Sequence, residues 1–319
     1  MCGITALSTS KEITEYRKNL FLRIHKQIKY RGPDESGISL DLQNKVLLGH
    51  HRLSIIDLES SQQPFKFGNI ELIFNGEIYN YLEIKSELLK FGYEFETSGD
   101  TEVLIKAFHK WKVGVFNKLD GMYSCVFKEN NKITAVTDCF GEKPLYLYQD
   151  IDSLFLCSEA LPLVKSLNLK FDPTIEELYF FLGNGFMDFD NQGFKNLKRV
   201  KPGHILEIED GKIINSVSYF RRDISNKRKS GISTSDIHEI LLESTKRRIR
   251  SDVNIGIYLS SGTDSILTAC LLKKVMGANF MCLTSSTGSD EEEYIHANKV
   301  CNYLRSEEHT SELQSPMYL

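Results

Sequence analysis

The pattern of apolar and polar positions changes near residue 230, which predicts two differently built regions. In the first region, an apolar run predicts a strand at 3–7, and further strands are predicted at 46–53 and 71–74. Alternating patterns predict strands at 122–128, 133–138 and 153–158. Apolar residues spaced three or four apart predict helices around 20–28, at 82–91 before Gly92, and after Asp100 with Val103, Leu104, Ala107, Phe108 and Trp111 on one face. A last hairpin is predicted around Asp210-Gly211. Strands grouped with helices in this way predict a layered α+β domain.

The second region has a different order of elements. A helix around Ile237 and Ile240 leads into an apolar strand at 255–259, a loop of small residues at 260–265 and a helix at 266–276. Strand, loop and helix in this order are typical of a parallel α/β sheet that binds phosphate. A plain turn explains the loop equally well, and the absence of a lysine after Gly262 excludes a Walker A loop. Residues 221–235, polar and basic without periodicity, are predicted to be a linker.

Composition narrows the class of protein. A chain of 319 residues with 41% hydrophobic content can bury cores for about two domains. With 39 basic against 43 acidic side chains, no global basic field predicts a nucleic-acid or membrane partner. No run approaches the ~20 apolar residues of a membrane span, and no signal peptide is evident. We therefore expect a cytoplasmic protein. Seven cysteines without a Cys-x-x-Cys pair predict reduced thiols rather than a zinc site or disulfides.

Cys2 follows the initiator methionine, so removal of Met1 makes it the N-terminal residue. Its free α-amine then titrates near ~8 and lies close enough to accept the proton of its own thiol, directly or through one water. A terminal cysteine of this kind needs no catalytic histidine. The alternative interpretation is an inert small residue after the start codon.

Three further positions have both a structural and a functional interpretation. Arg52, delivered by an apolar strand, either binds an anionic ligand or forms a structural ion pair. Asn75 and Gly76 follow a strand, where they form a hairpin turn or offer a side-chain amide and a backbone N–H to a developing oxyanion. Asp100 either caps a helix or directs its carboxylate to a ligand ammonium group.

Six motifs occur in order along the first region. They are Cys-Gly-Ile at 2–4, Arg-Gly-Pro-Asp at 31–34, His-His-Arg-Leu-Ser-Ile at 50–55, Asn-Gly-Glu-Ile-Tyr-Asn at 75–80, Ser-Gly-Asp-Thr-Glu at 98–102 and Asp-x-Phe-Gly-x-Lys-Pro-Leu-Tyr at 138–146. Together they resemble the glutaminase half of the glutamine-dependent asparagine synthetases. Arg-Ser-Asp-Val-x-x-Gly at 250–256 and Leu-Ser-Ser-Gly-Thr-Asp-Ser at 259–265 resemble the beginning of that family's synthetase half. The resemblance runs from Cys2 to about Leu304.

The resemblance implies a fold for each region. Residues 1–212 are expected to form a four-layer αββα N-terminal-nucleophile glutaminase domain. Residues 213–304 are expected to begin an α/β parallel-sheet domain of the ATP-pyrophosphatase type. The sequence of residues 305–319 differs from that of the family and resembles a translated sequencing-library adapter, so we expect a non-native tail. The family's second Ser-Gly-Glu-Gly-x-Asp-Glu segment is missing, so we expect a synthetase half truncated at its C-terminus and doubtful synthetase activity.

The resemblance also assigns roles. It implies Cys2 as nucleophile, Asn75 and Gly76 as oxyanion hole, and Arg52 as the partner of the glutamine α-carboxylate. Glu77 and Asp100 are then expected to bind the α-ammonium group. The residues expected at the pyrophosphate end of ATP are Leu259, Ser260, Gly262, Asp264 and Ser265.

The implied chemistry is hydrolysis of glutamine through a γ-glutamyl thioester. Ammonia then passes to a second site, where ATP activates aspartate as an acyl-adenylate. Mg²⁺ is implied without ligands that the sequence identifies, and a homodimer is compatible with the resemblance. Two alternatives stay open: an acceptor carboxylate other than aspartate, and a fragment with glutaminase activity only. Ser261 replaces a glycine of the ATP loop, which weakens ATP binding if that backbone needs a positive φ or a very close phosphate.

Overall fold

The computed structural model describes residues 1–190, 192–220, 231–277, 280–284 and 291–304. The chain divides into two compact units, Met1–Asp223 and Ile224–Leu319, and each is described by itself. Most of the predicted linker, residues 221–230, lies outside the described residues, as does the predicted tail 305–319.

The first unit contains two six-stranded sheets and five α-helices among its described residues. The helices are α1 (Glu15–Gln27), α2 (Tyr81–Leu89), α3 (Asp100–Trp111), α4 (Ala160–Leu167) and α5 (Ile175–Asn184). The first sheet has the order β10 (Leu197–Arg199), β8 (Tyr146–Gln149), β9 (Ser153–Cys157), β1 (Gly3–Thr9), β3 (Val46–Arg52) and β2 (Glu35–Asp41). The second has the order β12 (Lys212–Ser218), β11 (His204–Glu209), β7 (Lys132–Thr137), β6 (Gly121–Glu129), β5 (Ile70–Ile78) and β4 (Phe65–Phe67). Neighbouring strands in both sheets are antiparallel.

Three hydrophobic cores separate four layers. One core lies between the sheets, where Ile4 and Leu48 of the first sheet meet Ile73 and Val126 of the second. A second core packs α1 and α4 on the first sheet, and a third packs α2 and α3 on the second sheet. The central strands are therefore covered on both faces, which explains the apolar run of β1. The predicted αββα arrangement is confirmed.

The ends of the strands distinguish true hairpins from other Asn-Gly and Asp-Gly pairs. Asp210 and Gly211 join β11 to β12 with φ values of 48° and 73°, so the predicted hairpin is confirmed. Asn75 and Gly76, in contrast, lie inside β5, which continues to Ile78 and pairs with β6 along its whole length. The hairpin interpretation of Asn75-Gly76 is therefore wrong.

The described part of the second unit follows the predicted order of strand, loop and helix. Its elements are α6 (Thr234–Arg248), β13 (Gly256–Tyr258), α7 (Thr263–Met276), β14 (Met281–Leu283) and α8 (Glu291–Leu304). Strands β13 and β14 are parallel. Ala269 of α7 and Ala297 of α8 share a small core with Leu259. Across the described part of the chain, no helix combines the length and apolarity needed to cross a membrane.

Candidate active site

Cys2 lies where the first sheet meets the loop after β3. Because Gly3 pairs with His51, the preceding residue Cys2 is placed beside Arg52 and Leu53. The backbone N–H of Leu53 donates to the Cys2 Sγ at 3.4 Å. On the other side, the Arg31 Nε donates to the Cys2 carbonyl oxygen at 2.9 Å. Both the thiol and the main chain of Cys2 are thus held in place.

The Arg-Gly-Pro-Asp segment fixes this corner, a role that the sequence analysis missed. Arg31 is buried and also pairs with Glu159. A Cβ at Gly32 would lie only 2.3 Å from the His51 carbonyl carbon, so the backbone approach requires glycine there. Asp34 accepts a hydrogen bond from the Ser54 N–H at 2.8 Å. The motif at 31–34 was the available signal, but no role was assigned to it.

Asn75 and Gly76 lie within the C-terminal half of β5 in the second sheet. Asn75 is 1% exposed, and its Nδ2 has no hydrogen-bond partner among the described residues. A buried amide donor left in this state costs free energy unless a ligand engages it. A Cβ at Gly76 would lie 2.1 Å from the Met122 carbonyl oxygen, so no side chain can shield its backbone there. Asn75 and Gly76 can therefore donate hydrogen bonds to an acceptor atom of a bound ligand.

Two carboxylates approach the same end of β5. The Asp100 Oδ2 accepts from the Ile78 N–H at 2.9 Å, and Gly99, rather than Asp100, is the N-cap of α3. Burial raises the pKa of Asp100 to about 7; the hydrogen bond from Ile78 opposes the shift and the charge of Glu77 adds to it. Burial also raises the pKa of Glu77, although Lys143 and the amino terminus oppose that shift. Two carboxylates in this position favour a cationic partner.

Several of these groups shift the pKa of the Cys2 thiol. Burial raises its pKa, while the Leu53 N–H, the amino terminus and Arg52 lower it and Asp100 raises it further. The net effect favours the neutral thiol, so a nucleophilic Cys2 needs a base. These mutual charge effects join Cys2, Arg52, Asp100 and, through Asp100, Glu77 in one cluster.

The amino terminus belongs to the same cluster. With Met1 in place, the nitrogen of Cys2 is a peptide nitrogen and cannot accept a proton. Burial lowers the pKa of the Met1 amino group; Arg31 and Lys143 lower it further, whereas Cys2 and Asp34 raise it. The Lys143 Nζ lies 3.3 Å from the Met1 Sδ. The surroundings of the Met1 amino group therefore favour its neutral form.

The guanidinium of Arg52 is engaged with the protein itself. It pairs with Glu35 at 3.0 Å and donates to the carbonyl oxygens of Ile56, Asp57 and Leu58. The structural ion pair that the sequence left open is thus present. A cavity of about 500 Å³ adjoins this pair. It is lined by Glu35, Ser36, Gly37, Ile38, His50, Arg52, Gln62, Gln63 and Pro64.

In the second unit, the predicted ATP residues form one loop between β13 and α7. The hydroxyl groups of Ser260 and Ser265 lie 2.9 Å apart, and the Gly262 N–H donates to the Ser260 Oγ at 3.2 Å. Leu259 is buried, and Asp264 lies in the first turn of α7. Gly262 caps α7 with no side-chain hydrogen bond, so the N–H groups of the first turn fit an anion.

The glycine replaced by Ser261 is not needed for backbone conformation. Gly262 has a φ of −72°, and Ser261 is not among the described residues with positive φ. Ser261 therefore causes no conformational strain of this kind. It can weaken ATP binding only if the phosphate must approach the backbone very closely. No group of three or more His, Cys, Asp or Glu side chains that could hold a metal ion occurs in the described ranges.

Asp100→Asn is expected to stabilise the folded chain most at high pH. Folding raises the pKa of Asp100 from its ordinary 3.8 to about 7, so the ionised form destabilises the folded state. This destabilisation is absent below pH 3.8, grows as the pH rises and is complete above pH 7. Asparagine keeps an acceptor for the Ile78 N–H. We expect a gain of about 2 kcal/mol at pH 8 and less at pH 5, measured by urea unfolding. A loss of stability at pH 8 would contradict the buried-charge account.

Comparison with known families agrees with this geometry. The family model of a glutamine amidotransferase domain matches residues 1–220, and that of asparagine synthase matches residues 236–317. Since the first match covers more than half of the chain, the protein belongs to the glutamine amidotransferase family.

Curated relatives are glutamine-hydrolysing asparagine synthetases. Asparagine synthetase [glutamine-hydrolyzing] 1 of Bacillus subtilis is 30% identical over 86% of this chain and 44% of its own length. Putative asparagine synthetase [glutamine-hydrolyzing] 2 of Methanocaldococcus jannaschii is 31% identical over 97% of this chain and 64% of its own length. The chain thus spans about half the length of these relatives.

Solved structures support the fold. The glutamine phosphoribosylpyrophosphate amidotransferase of B. subtilis matches with a TM-score of 0.50 and 18% identity, covering 91% of this chain and 70% of that one. A structure of the allosteric regulatory enzyme of purine biosynthesis matches with a TM-score of 0.51 and 17% identity, over 89% and 65%. At these identities the likeness concerns the fold alone. It agrees with the N-terminal-nucleophile amidotransferase fold predicted for the first region.

Proposed function

We propose that the first unit hydrolyses glutamine at Cys2 and that the ammonia serves the ATP-dependent amidation of aspartate. The observation that carries the hydrolytic part is the position of Cys2, held between Arg31 and the Leu53 N–H and within the electrostatic reach of Arg52 and Asp100. The two relatives, both glutamine-hydrolysing asparagine synthetases by name, support the acceptor. A cytoplasmic location, where glutamine and ATP are available, is part of the proposal.

Substrate binding follows from the charges of the cluster. Glutamine carries an α-carboxylate and an α-ammonium group at neutral pH. Arg52 suits the carboxylate, and the pair Glu77 and Asp100 suits the ammonium group. A bound ammonium group would lower the raised pKa values of both carboxylates, since it favours their ionised forms. Binding of glutamine thereby offsets the free-energy cost of burying these carboxylates in their ionised form.

The reaction begins once Met1 is removed. The α-amine of Cys2 accepts the thiol proton, and the sulfur attacks the side-chain carbonyl carbon of glutamine. The oxyanion that develops accepts hydrogen bonds from the Asn75 Nδ2 and the Gly76 N–H. The C–N bond then breaks, the leaving nitrogen takes the proton from the α-amine, and ammonia departs. Water, deprotonated by the same amine, hydrolyses the γ-glutamyl thioester to glutamate and restores the thiol.

The second unit is proposed to bind ATP at the loop after β13. The uncapped N-terminus of α7 and the glycine Gly262 fit the pyrophosphate, and Ser260 and Ser265 hold the loop in shape. When bound, ATP supplies the activation of the aspartate carboxylate for attack by ammonia. Mg²⁺ is part of the proposal, with carboxylate or phosphate oxygen ligands expected from its chemistry.

The proposal is tested by incubating the processed chain with glutamine that carries ¹⁵N in its side-chain amide. We expect glutamate and labelled ammonia in equal amounts without ATP, because the hydrolytic groups all lie in the first unit. Labelled asparagine in a parallel reaction with aspartate and ATP tests the acceptor. Its absence alongside ammonia release contradicts the aspartate part of the proposal and favours one of the two alternatives, another acceptor carboxylate or glutaminase activity only. If a chain that demonstrably begins at Cys2 releases no ammonia, the proposed hydrolysis is wrong.

A further inference from the structure

The hydrogen-bond acceptors that surround Arg52 occupy the donors that a substrate carboxylate would need. Arginine has five N–H donors, four of them on its two terminal nitrogens. The Arg52 Nη1 bonds to the Glu35 carboxylate at 3.0 Å and the Leu58 carbonyl oxygen at 3.2 Å. The Arg52 Nη2 bonds to the carbonyl oxygens of Ile56, at 3.3 Å, and Asp57. All four terminal hydrogens are therefore matched by protein acceptors, which leaves no fork for a bidentate carboxylate.

Only one of the four acceptors can leave without unfolding a segment. Three are backbone carbonyl groups of the loop after β3, whose path they hold. The fourth is the side chain of Glu35, directly opposite Arg52 in the β2–β3 ladder and on the same face of the sheet. The Glu35 side chain is 30% exposed, whereas that of Arg52 is 4% exposed. A displaced Glu35 carboxylate can therefore be rehydrated, while Arg52 stays buried and needs an anion.

The surroundings also give Glu35 a place to move. The 500 Å³ cavity is lined by Glu35 and Arg52 together with polar side chains such as Ser36 and Gln62. None of Cys2, Asn75 or Asp100 is among its lining residues, so within the described chain Arg52 is the element common to the cavity and the candidate active site. A Glu35 side chain that swings into the cavity frees the Arg52 Nη1 donor that it occupied for a carboxylate oxygen of a ligand.

We propose that Glu35 is a specificity-determining residue whose carboxylate occupies Arg52 in the free protein and is displaced by the α-carboxylate of glutamine. The inference rests on the proposed function, since it takes Arg52 as the glutamine partner. The apparent affinity for glutamine is then the intrinsic affinity multiplied by the fraction of molecules in which Glu35 has released Arg52. Glu35 also rejects amides without an α-carboxylate, because these cannot replace the lost ion pair and would leave Arg52 with an unmatched buried charge.

The test is calorimetric titration of glutamine into Cys2→Ala protein, which binds without turnover, compared with Cys2→Ala/Glu35→Gln. We expect the second protein to bind glutamine about three- to tenfold more tightly, because the competing anion is gone. With Cys2 intact, Glu35→Gln is expected to lower KM by a similar factor and leave kcat unchanged. Cys2→Ala/Glu35→Ala serves as a second double variant, since glutamine at 35 retains a weak acceptor for Arg52.

The matched control is Glu129→Gln. Glu129 also lies on a strand, pairs with Lys112 at 2.9 Å and is 34% exposed, but it contacts no residue of the candidate site. Its removal is expected to leave glutamine affinity unchanged. Unchanged or weaker affinity in both Glu35 variants overturns the inference and shows that Glu35 only positions Arg52. Absence of glutamine binding to Cys2→Ala and to both double variants overturns the proposed function as well, so the two failures are distinguishable.

Discussion

Cys2→Ala is expected to lower glutamine hydrolysis by about 10⁴-fold or more, because the only attacking atom of the proposed reaction is lost. The variant should fold normally. The Cys2 thiol accepts from the Leu53 N–H at 3.4 Å and donates to the Leu53 carbonyl oxygen at 3.7 Å, and it lies at the mouth of β1 rather than in a core. Ammonia release measured over several hours, with the ¹⁵N label to exclude background, covers this range.

Cys139 provides the control for this experiment. It lies in the same unit, is partly exposed like Cys2 and has no proposed role in the reaction. Cys139→Ala is therefore expected to hydrolyse glutamine within about twofold of the unmodified chain. Comparable hydrolysis in Cys2→Ala and Cys139→Ala would remove the thiol from the mechanism and, with it, the reason for removing Met1.

Asn75→Ala is expected to lower kcat by about 10²–10³-fold with little change in KM. An oxyanion-hole donor acts on the transition state, and its loss in comparable acyl transfers has this size. Since the Asn75 Nδ2 has no partner among the described residues, the substitution removes no protein hydrogen bond of that atom. Steady-state kinetics give kcat and KM, and thermal unfolding checks that the fold is retained.

Ser124→Ala is the matched control for Asn75→Ala. Ser124 lies directly opposite Asn75 in the β5–β6 ladder, is fully buried and also has a side-chain oxygen without a partner among the described residues. Its loss alters the same stretch of sheet without removing a proposed oxyanion donor. We expect kcat within about threefold of the unmodified chain. If Ser124→Ala matched Asn75→Ala, the effect would come from sheet packing and not from the oxyanion.

The fold was largely predictable because its signals are local. A strand covered on both faces favours an apolar run, so β1 is visible in the sequence, and β9 is visible as an alternating pattern. The Asp210-Gly211 hairpin was likewise visible from its turn residues. The Asn75-Gly76 pair misled for the same reason: its local preference is a turn, but pairing along the whole length of β5 and β6 keeps it extended.

The candidate site was less predictable because its contacts join distant segments. The hydrogen bond from Arg31 to Cys2 spans 29 residues, and the one between Asp100 and Ile78 spans 22. Residue type and spacing pointed to Cys2, Arg52 and Asp100, yet neither could reveal that Glu35 occupies Arg52. That pairing depends on the register of β2 against β3, which only the folded sheet defines.

Mass spectrometry after labelling with a diazoketone analogue of glutamine tests the central claim most directly. A thiolate that recognises the glutamine skeleton displaces nitrogen from the analogue and keeps the remainder as a thioether. We predict a single label on the Cys2 sulfur, in a peptide that begins at Cys2, with protection by excess glutamine. Labelling of another residue, or full hydrolytic activity in protein that retains Met1, would contradict the account.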